Sequence, residues 1–507
     1  MIAASTPPGI VRTPMQALTV IGIILEIIVL FNFVIVVHEL GHYWAARWRG
    51  LKVEKFQIWF GKPIWSKTVN GVQWGLGWIP AGGFVALPQM NPMEMLEGGS
   101  TSSEPLPKIS PMDKIIVAAA GPIFSFGLAF VFAVLVWGVK YPKSTSSMTT
   151  EIGYISEKAV AGADQLQVGD EVIEVDGKHV DSWRGMVDSV VWNVISSGGD
   201  TIPFKVKREG AAEPIVVQLA APEKPGEAED AKESGGITGA IGGFFKRPEL
   251  RMVDMMGVQP VSVPFVGDVT PKGPAAQAGI QKNDAIVEVE GTRISSPMQI
   301  NDIIRASGVT PLNITVKREG KMVPITVTPS YPSNRDKVHE ANNRPMIGLA
   351  WDLTGDTELV RTTPMEQIKD GLKTMANTLG AVFSPKSDIS AKHLSGPVGI
   401  MNLYYRLFED KDGWRRALWF SVILNINLGI MNLLPLPVLD GGHITMAILE
   451  SIRKRPLSKR LLDISYGGCA ILLMGFMLFI TGFDVKALFW GEDSRPGMEQ
   501  KVEAPEF

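Results

Sequence analysis

Residues 17–42 read ALTVIGIILEIIVLFNFVIVVHELGH, and this stretch decides what kind of protein the chain is. Ala17 to Val37 gives 21 residues with a single charge, Glu26, and a single amide, Asn32. That is close to the ~20 apolar residues a helix needs to cross a bilayer. His38-Glu39-Leu40-Gly41-His42 continues it as an H-E-x-x-H pattern. On a helix the i, i+4 spacing stacks His38 and His42 on one face, where two imidazoles can share a Zn²⁺, and Glu39 lies within reach of a water between them. The competing reading, a pair of core histidines satisfied by backbone, has to place two imidazoles and a carboxylate at membrane depth with no function to offset the cost.

Working outward, three further stretches are apolar. Ile115 to Val139 carries no charge, Ala417 to Leu434 is interrupted only by Asn425, Asn427 and Asn432, and Ser465 to Phe483 is uncharged. Four spans are therefore expected, with the third cut short by Pro435 and Pro437. The first span does not read as a cleaved signal peptide: Arg12 alone precedes it and no small-residue cleavage site follows. Arg47, Arg49, Lys52 and Lys55 follow span one, and SIRKRPLSKR (451–460) separates spans three and four. By the positive-inside rule both short loops face the cytoplasm, and both termini and the long middle segment face outward.

Across its 507 residues the chain is 45% hydrophobic and 20% charged with net charge −3, so nothing in its charge points to nucleic acid. Cys469 is the only cysteine, which excludes disulfide scaffolds and thiolate zinc sites; a metal must be held by His, Asp or Glu.

The outward middle segment contains a duplication. GADQLQVGDEVIEVDGKHV from Gly162 aligns with AAQAGIQKNDAIVEVEGTRI, placing Asp284 and Gly291 each 114 residues after Asp170 and Gly177, and FKVKREG (204–210) echoes ITVKREG (314–320). A period this long means two small domains rather than a solenoid. Each has an alternating strand ending in a Glu-Gly or Asp-Gly turn. They resemble PDZ domains of the circularly permuted bacterial type, a likeness that implies capture of an extended peptide or chain terminus by strand addition. Residues 221–243 between them are low in complexity and read as a linker.

A third metal ligand has several sources. The metzincin pattern fails because Ala45 and Trp48 stand where Gly and His would be needed. Glu54, Glu94 and Glu97 suit a soluble zincin, but none lies in an apolar frame returning to span one. Almost 400 residues later, Asn432-Leu-Leu-Pro-Leu-Pro-Val-Leu-Asp440-Gly-Gly-His443 breaks span three with two prolines and ends in a carboxylate. Irregular backbone at that depth is tolerated where it lines a protein cavity. A buried Asp there calls for a cation, and His-His-Asp leaves a fourth zinc position open. His443 is the rival ligand; a Pro-terminated helix capped by Asp440 is the structural alternative.

The pairing of HELGH with N-x-x-P-x-P-x-L-D-G around two PDZ-like repeats resembles the site-2 protease family, in its bacterial RseP-type branch. The resemblance implies an α-helical polytopic membrane protein with four transmembrane helices, a membrane-associated β-hairpin loop and two extracytoplasmic PDZ-like domains. It divides the chain into a first transmembrane helix with HExxH (1–50), a cytoplasmic-side hairpin loop (51–113), a second transmembrane helix (114–140), a first PDZ-like domain (144–260) and a second (261–355). An amphipathic helix and connecting segment (360–400), a third helix with NxxPxPxLDG (414–445), a fourth (460–485) and a polar tail (491–507) complete it. The helical pattern in 364–383 fits a surface-lying helix and a packed one equally.

Carried over residue by residue, the resemblance implies one Zn²⁺ per chain on His38, His42 and Asp440, Glu39 as catalytic base, and Asn432 as a substrate contact. Ile79 to Leu87 matches the family's hairpin, Gly121-Pro122 its paired motif, and Ser395 to Ile400 the segment before span three. Met256-Gly257-Val258 and Ile347-Gly348-Leu349 match its peptide-carboxylate loops. It implies cleavage, in the bacterial inner membrane, of single-pass proteins of the anti-sigma-factor type or remnant signal peptides, after an upstream site-1-type protease has trimmed them. The PDZ pair would act as a size filter, and Phe56 to Leu87 is expected to offer an edge on which unwound substrate lies extended. A membrane metal transporter or zinc sensor would use the same ligands but gain nothing from Glu39; a PDZ scaffold with a decayed site is at odds with intact motifs. Ser125, Gln57, Trp59, Glu26 and Asn32 receive no role.

Overall fold

The computed structural model describes residues 14–90, 109–221, 256–334, 344–352, 357–384, 387, 389–408, 412–455 and 458–490. Glu94, Glu97, the low-complexity stretch from 222 and the tail 491–507 lie outside the described residues.

Helix α1 (Pro14–Trp48) runs unbroken through the apolar stretch and HELGH. Strands β1 (Lys55–Val69) and β2 (Val72–Ala86) follow, joined by Asn70-Gly71 with φ of 51° and 78°, the two-residue hairpin turn that Asn-Gly favours. The pair is more folded than a simple hairpin. Phe56 pairs with both Val85 and Trp74, while Lys67 pairs with Trp74 from the other side. Two bent strands thus make four stretches in the order 63–69, 73–77, 55–58, 83–86, antiparallel at the two outer pairings and parallel where 55–58 meets 73–76, and the last is an edge. Positive φ at Trp59, Gly61 and Gly82 makes the bends. Phe56 and Trp74 stack on each other and meet Tyr43 of α1 edge-on, anchoring the base of the hairpin. Ile64, Trp65 and Trp78, farther out, are 64%, 56% and 62% exposed, an apolar surface that water does not favour.

Helix α2 (Pro111–Val139) begins with a capping box between Ser110 and Asp113 and Pro at its first position. Strand β3 (Tyr141–Ser144) leads into the first duplicated module: β4 (Ile152–Ile155), β5 (Glu171–Val175), β6 (Lys178–His179), α3 (Val190–Ser196), β7 (Thr201–Lys207), β8 (Ile215–Ala220) and β9 (Val258–Pro260). The second runs β10 (Phe265–Val269), β11 (Ala285–Val289), β12 (Thr292–Arg293), α4 (Pro297–Ser307), β13 (Leu312–Arg318), β14 (Lys321–Val327) and β15 (Leu349–Asp352). The strand order 6-5-7-8 of the first matches 12-11-13-14 of the second in its pairings of β5 with β6 and β7, and of β11 with β12 and β13. Each module has its own core, built on Trp183, Phe204 and Leu219 in one and Ile286, Ile300 and Ile314 in the other. Full burial of one such side chain contributes ~1.5–3 kcal/mol.

The duplication extends to one buried ion pair per module. Arg208 grips Asp170 through Nε and Nη2 at 2.7 and 2.8 Å, and Arg318 grips Asp284 at 2.7 and 2.6 Å. Backbone N–H groups of Gln167 and Gln281 donate to the same carboxylates at 2.8 and 2.9 Å. The 256–258 and 347–349 loops correspond too: Gly257 and Gly348 have φ of 75° and 77°, and their carbonyls accept from Ser156 and Thr270 at 2.8 and 2.9 Å.

Strand β16 (Thr357–Val360) pairs with β3, bringing the exit of the modules beside their entrance. Helix α5 (Pro364–Phe383) is a packed helix. Gln367 donates to Ala133 O of α2 at 3.0 Å, while Lys373 and Asn377 reach Asp188 and Met186 O of the first module at 2.8 and 3.0 Å. Helices α6 (Pro397–Phe408), α7 (Gly413–Asn432), α8 (Asp440–Arg453) and α9 (Lys459–Trp490) complete the chain. Buried Asp484 of α9 accepts from Gly396 and Gly399 N–H at 2.8 and 2.9 Å, tying the Ser395–Ile400 segment to the last helix.

The third helical segment, over 414–445, is broken in two as its prolines require. Pro435 and Pro437 lack the N–H groups a helix would need, so the chain turns through 433–439 and restarts at Asp440. Among the described residues three helical stretches are long and apolar enough to cross a membrane: Val20–Trp48, Pro111–Val139 and Arg460–Lys486. Helix α7 is not one of them, since Arg415, Arg416 and three asparagines dilute its apolar run. Glu26 lines an apolar groove with Val29, Phe33 and Phe132; nothing in the structure explains it.

Candidate metal centre

Helix α1 packs along α2, and the two backbones come close at the HELGH turn, where a Cβ at Gly41 would meet Ala120 O at 2.5 Å. A Cβ at Gly121 of α2 would lie 2.2 Å from His42 Nε2 and 2.8 Å from His38 Nε2, so only glycine leaves the two imidazoles room. The other ring nitrogens are occupied. His42 Nδ1 donates to Val117 O at 2.8 Å, and Ser125 Oγ lies 2.9 Å from His38 Nδ1. Both contacts come from α2, orient the rings and turn both Nε2 atoms toward the same point.

Asp440 arrives there from the start of α8. The preceding turn folds tightly over Gly441 and Gly442: a Cβ at either would meet the carbonyl oxygens of Leu433 or Leu436 at 2.2 Å. His38 Nε2 lies 3.3 Å from Asp440 Oδ2, His42 Nε2 lies 3.3 Å from Oδ1, and the two imidazole nitrogens are 3.3 Å apart. These side chains form the one cluster of three or more potential metal-ligating residues among the described residues, and all three are buried.

The donor set fits a zinc ion. Bonds of ~2.0–2.1 Å arranged tetrahedrally separate ligand atoms by about 3.3–3.4 Å, the spacing found here. Asp440 Oδ2 is buried without a hydrogen bond, and two imidazole nitrogens facing each other beside a carboxylate leave room for a shared cation.

The predicted residues divide as follows. His38, His42 and Asp440 meet. Glu39 shares the HELGH turn, and its Cγ lies 3.6 Å from where a Cβ at Gly83 would stand, so the edge stretch 83–86 passes beside it. Asn432 ends α7, half-buried, just before the turn. His443 is outside the three-residue cluster: its Nδ1 lies 3.2 Å from Tyr466 OH, and its Nε2 is buried without a partner. Glu54 is spent on Lys52 at 3.4 Å. Ser125 and Val117, which hold the rings, were not found by sequence reasoning, because nothing in the sequence reports which α2 residues face the histidines.

Comparison with known proteins gives the family. The model of peptidase family M50 matches residues 26–476, a span running from the first helix past both ligand motifs into the last. The chain belongs to peptidase family M50. A Pasteurella multocida protein named for zinc metalloprotease activity is 29% identical over 473 residues, covering 89% of this chain and 96% of the relative. The regulator of sigma-E protease RseP of Escherichia coli K12 is 28% identical over 477 residues, again covering 89% and 96%. The regulator of sigma E protease of Salmonella typhi is 27% identical over 473 residues with the same coverage. Among solved structures, the PDZ domain of an SdrC-like protein from Listeria monocytogenes aligns over 19% of this chain and 95% of its own at 21% identity, with TM-score 0.16. The two modules share a topology with each other, strand for strand, in the pairings of β5–β6–β7 and β11–β12–β13.

Proposed function

We propose that this M50 peptidase is a zinc-dependent endopeptidase that cuts a peptide bond inside the membrane, with His38, His42 and Asp440 as the metal ligands and Glu39 as the base. The observation that carries the proposal is the meeting of two motifs almost 400 residues apart in one buried three-donor cluster among apolar helices. A transporter or sensor is not favoured, since membership of a peptidase family and a carboxylate beside the ligands both speak for hydrolysis.

A zinc ion held by His38, His42 and Asp440 would supply Lewis acidity toward a carbonyl oxygen and a water. Glu39 accepts a proton from the attacking water and returns it to the leaving amine nitrogen. A helical substrate hides its carbonyls in i to i−4 bonds, so it must first be drawn into an extended form. The 83–86 edge, which runs beside Glu39, offers backbone groups for that strand. Asn432 donates to the substrate backbone as it lies across the site. The exposed apolar side chains at Ile64, Trp65 and Trp78 set the hairpin into the lipid.

The four-span topology belongs to the same proposal: α7 crosses shielded by its neighbours, the basic loops after α1 and α8 face the cytoplasm, and both PDZ-like modules lie outside the inner membrane. There they filter substrates by size and bind peptides or chain termini. Relatives named regulator of sigma-E protease support a role in regulated proteolysis of membrane proteins, and the substrates proposed are single-pass proteins of the anti-sigma-factor type, trimmed beforehand by another protease.

The test is metal analysis of the purified chain alongside cleavage of a model transmembrane peptide, wild type against Glu39→Gln. Zinc kept at one per chain with cleavage reduced by at least ~10²-fold is the expected result. Cleavage persisting in the Gln variant would end the reading.

A further inference from the structure

The seam between α1 and the hairpin holds two polar residues that the chemistry above leaves unused. Asn32 lies deep in the apolar stretch of α1. Its Oδ1 accepts the indole N–H of Trp59, and its Nδ2 donates to Ile28 O at 2.6 Å. Among apolar surroundings such a pair satisfies two groups that lipid could not.

Trp59 is unusual in itself. Its φ of 66° is left-handed, a conformation that glycine takes freely and a bulky residue does not. It is held there from two sides. Gln57, only 7% exposed, donates through Nε2 to Trp59 O at 3.0 Å and to Gly61 O at 2.8 Å, while the indole is fixed by Asn32. A disfavoured backbone over-determined by its neighbours points to a job beyond folding. The hairpin does not need this contact for attachment, because Tyr43, Phe56 and Trp74 already stack at its base.

The placement says what the job is. Asn32 and Glu39 are seven residues apart, two helical turns, so they share one face of α1 about 10 Å from each other. The hairpin touches this face at two heights: Trp59 at Asn32, and Gly83 beside Ile35 and Glu39. The stack on Tyr43 and the contact at Gly83 hold the hairpin near one end of this face, where the edge could still pivot; Trp59 at Asn32 adds an anchor two turns away that stops it. We infer that the Trp59–Asn32 hydrogen bond is a latch that sets the register of the hairpin edge against Glu39, and so determines which bond of an extended substrate is cut. The inference rests on the edge-pairing reading of the proposed function. Trp59 and Asn32 are positioning residues in it and touch no reacting atom.

The experiment uses the full chain in detergent or bilayer with a model transmembrane peptide, and maps products by mass spectrometry. Trp59→Phe removes the N–H and keeps the ring; Asn32→Leu removes the acceptor. Both should keep zinc at the wild-type level. Cleavage at the original bond should fall by about 10²-fold in kcat, the scale of an ångström's misplacement, with a smaller effect on KM. New products should appear displaced by two residues, since a slip of one would turn every substrate side chain to the opposite face. The double variant should be no worse than either single one.

Wild-type rates at a single unchanged bond in both variants would overturn the latch. So would loss of zinc from both, for the pair would then hold the fold rather than the register. A peptide N-methylated on the backbone around the cut site separates the two levels. If the wild type cleaves it normally, the edge reading fails and the latch with it. If methylation blocks cleavage while the variants cut as wild type does, only the latch fails.

Discussion

Two buried carboxylates of this chain, Asp170 and Asp440, look alike by sequence and by exposure, at 1% and 7%, and do opposite work. Asp170 is saturated by its own protein: two N–H groups of Arg208 and the Gln167 amide take up its oxygens, and Asp284 repeats the arrangement in the second module. Asp440 faces two imidazole nitrogens at 3.3 Å and keeps an oxygen without a hydrogen bond. A buried carboxylate whose partners are complete is part of a fold; one whose partners are all metal-binding atoms is part of a site.

Breaking the second carboxylate should have the larger consequence. Asp440→Asn keeps the shape but removes the negative ligand, and zinc affinity should fall beyond the roughly 10–100-fold that loss of an outer partner causes. Equilibrium dialysis against a chelator measures it, and retained zinc at wild-type affinity would show that Asp440 is no ligand. Ser125→Ala tests the next shell. With the contact to His38 Nδ1 gone, affinity should drop by about 10–100-fold while the helices stay folded; unchanged affinity would reduce Ser125 to a packing residue.

The smallest effect is expected in the modules and takes the form of a pH dependence. Burial pushes the Asp170 carboxyl up, but the hydrogen bonds from Arg208 and Gln167 outweigh it and hold the group below the usual carboxylate range; Asp284 behaves the same way with Arg318 and Gln281. A depressed folded-state value stabilises the module above the unfolded value of about 4 and is lost as pH falls through the lower, folded one. Amide protection factors over β5 and β7 of the full chain, corrected for the intrinsic pH dependence of exchange, should therefore fall below about pH 4. Asp170→Asn should lower those protection factors at neutral pH and lose that acid limb, with β11 and β13 unaffected. An unchanged acid limb would show that other groups control it.

The site was legible in the sequence where local geometry forces it. HELGH fixes two imidazoles by helical spacing alone, and the prolines before Asp440 force a turn wherever they stand. The metal partners could be paired because few His, Asp or Glu occur in apolar surroundings. The legible part ended where packing between distant elements decides. Ser125 and Val117 hold the histidines only because α1 lies along α2 in one register. The Gly121-Pro122 pair was recognised by resemblance, while its physical reason, two imidazole nitrogens that a Cβ at Gly121 would meet at 2.2 and 2.8 Å, needed coordinates. Arg208 and Arg318 were visible as repeated residues, yet their bonds to Asp170 and Asp284 were not. The hairpin's four stretches were missed because β1 pairs with two parts of β2 at once, which alternation of apolar residues cannot express.

X-ray absorption at the zinc edge of the purified full chain tests the central claim most directly, because it counts imidazoles around the metal. Two nitrogen ligands from His38 and His42, with the remaining positions filled by oxygen, is the result that this account predicts. Three imidazoles would place His443 in the shell instead of Asp440 and contradict it.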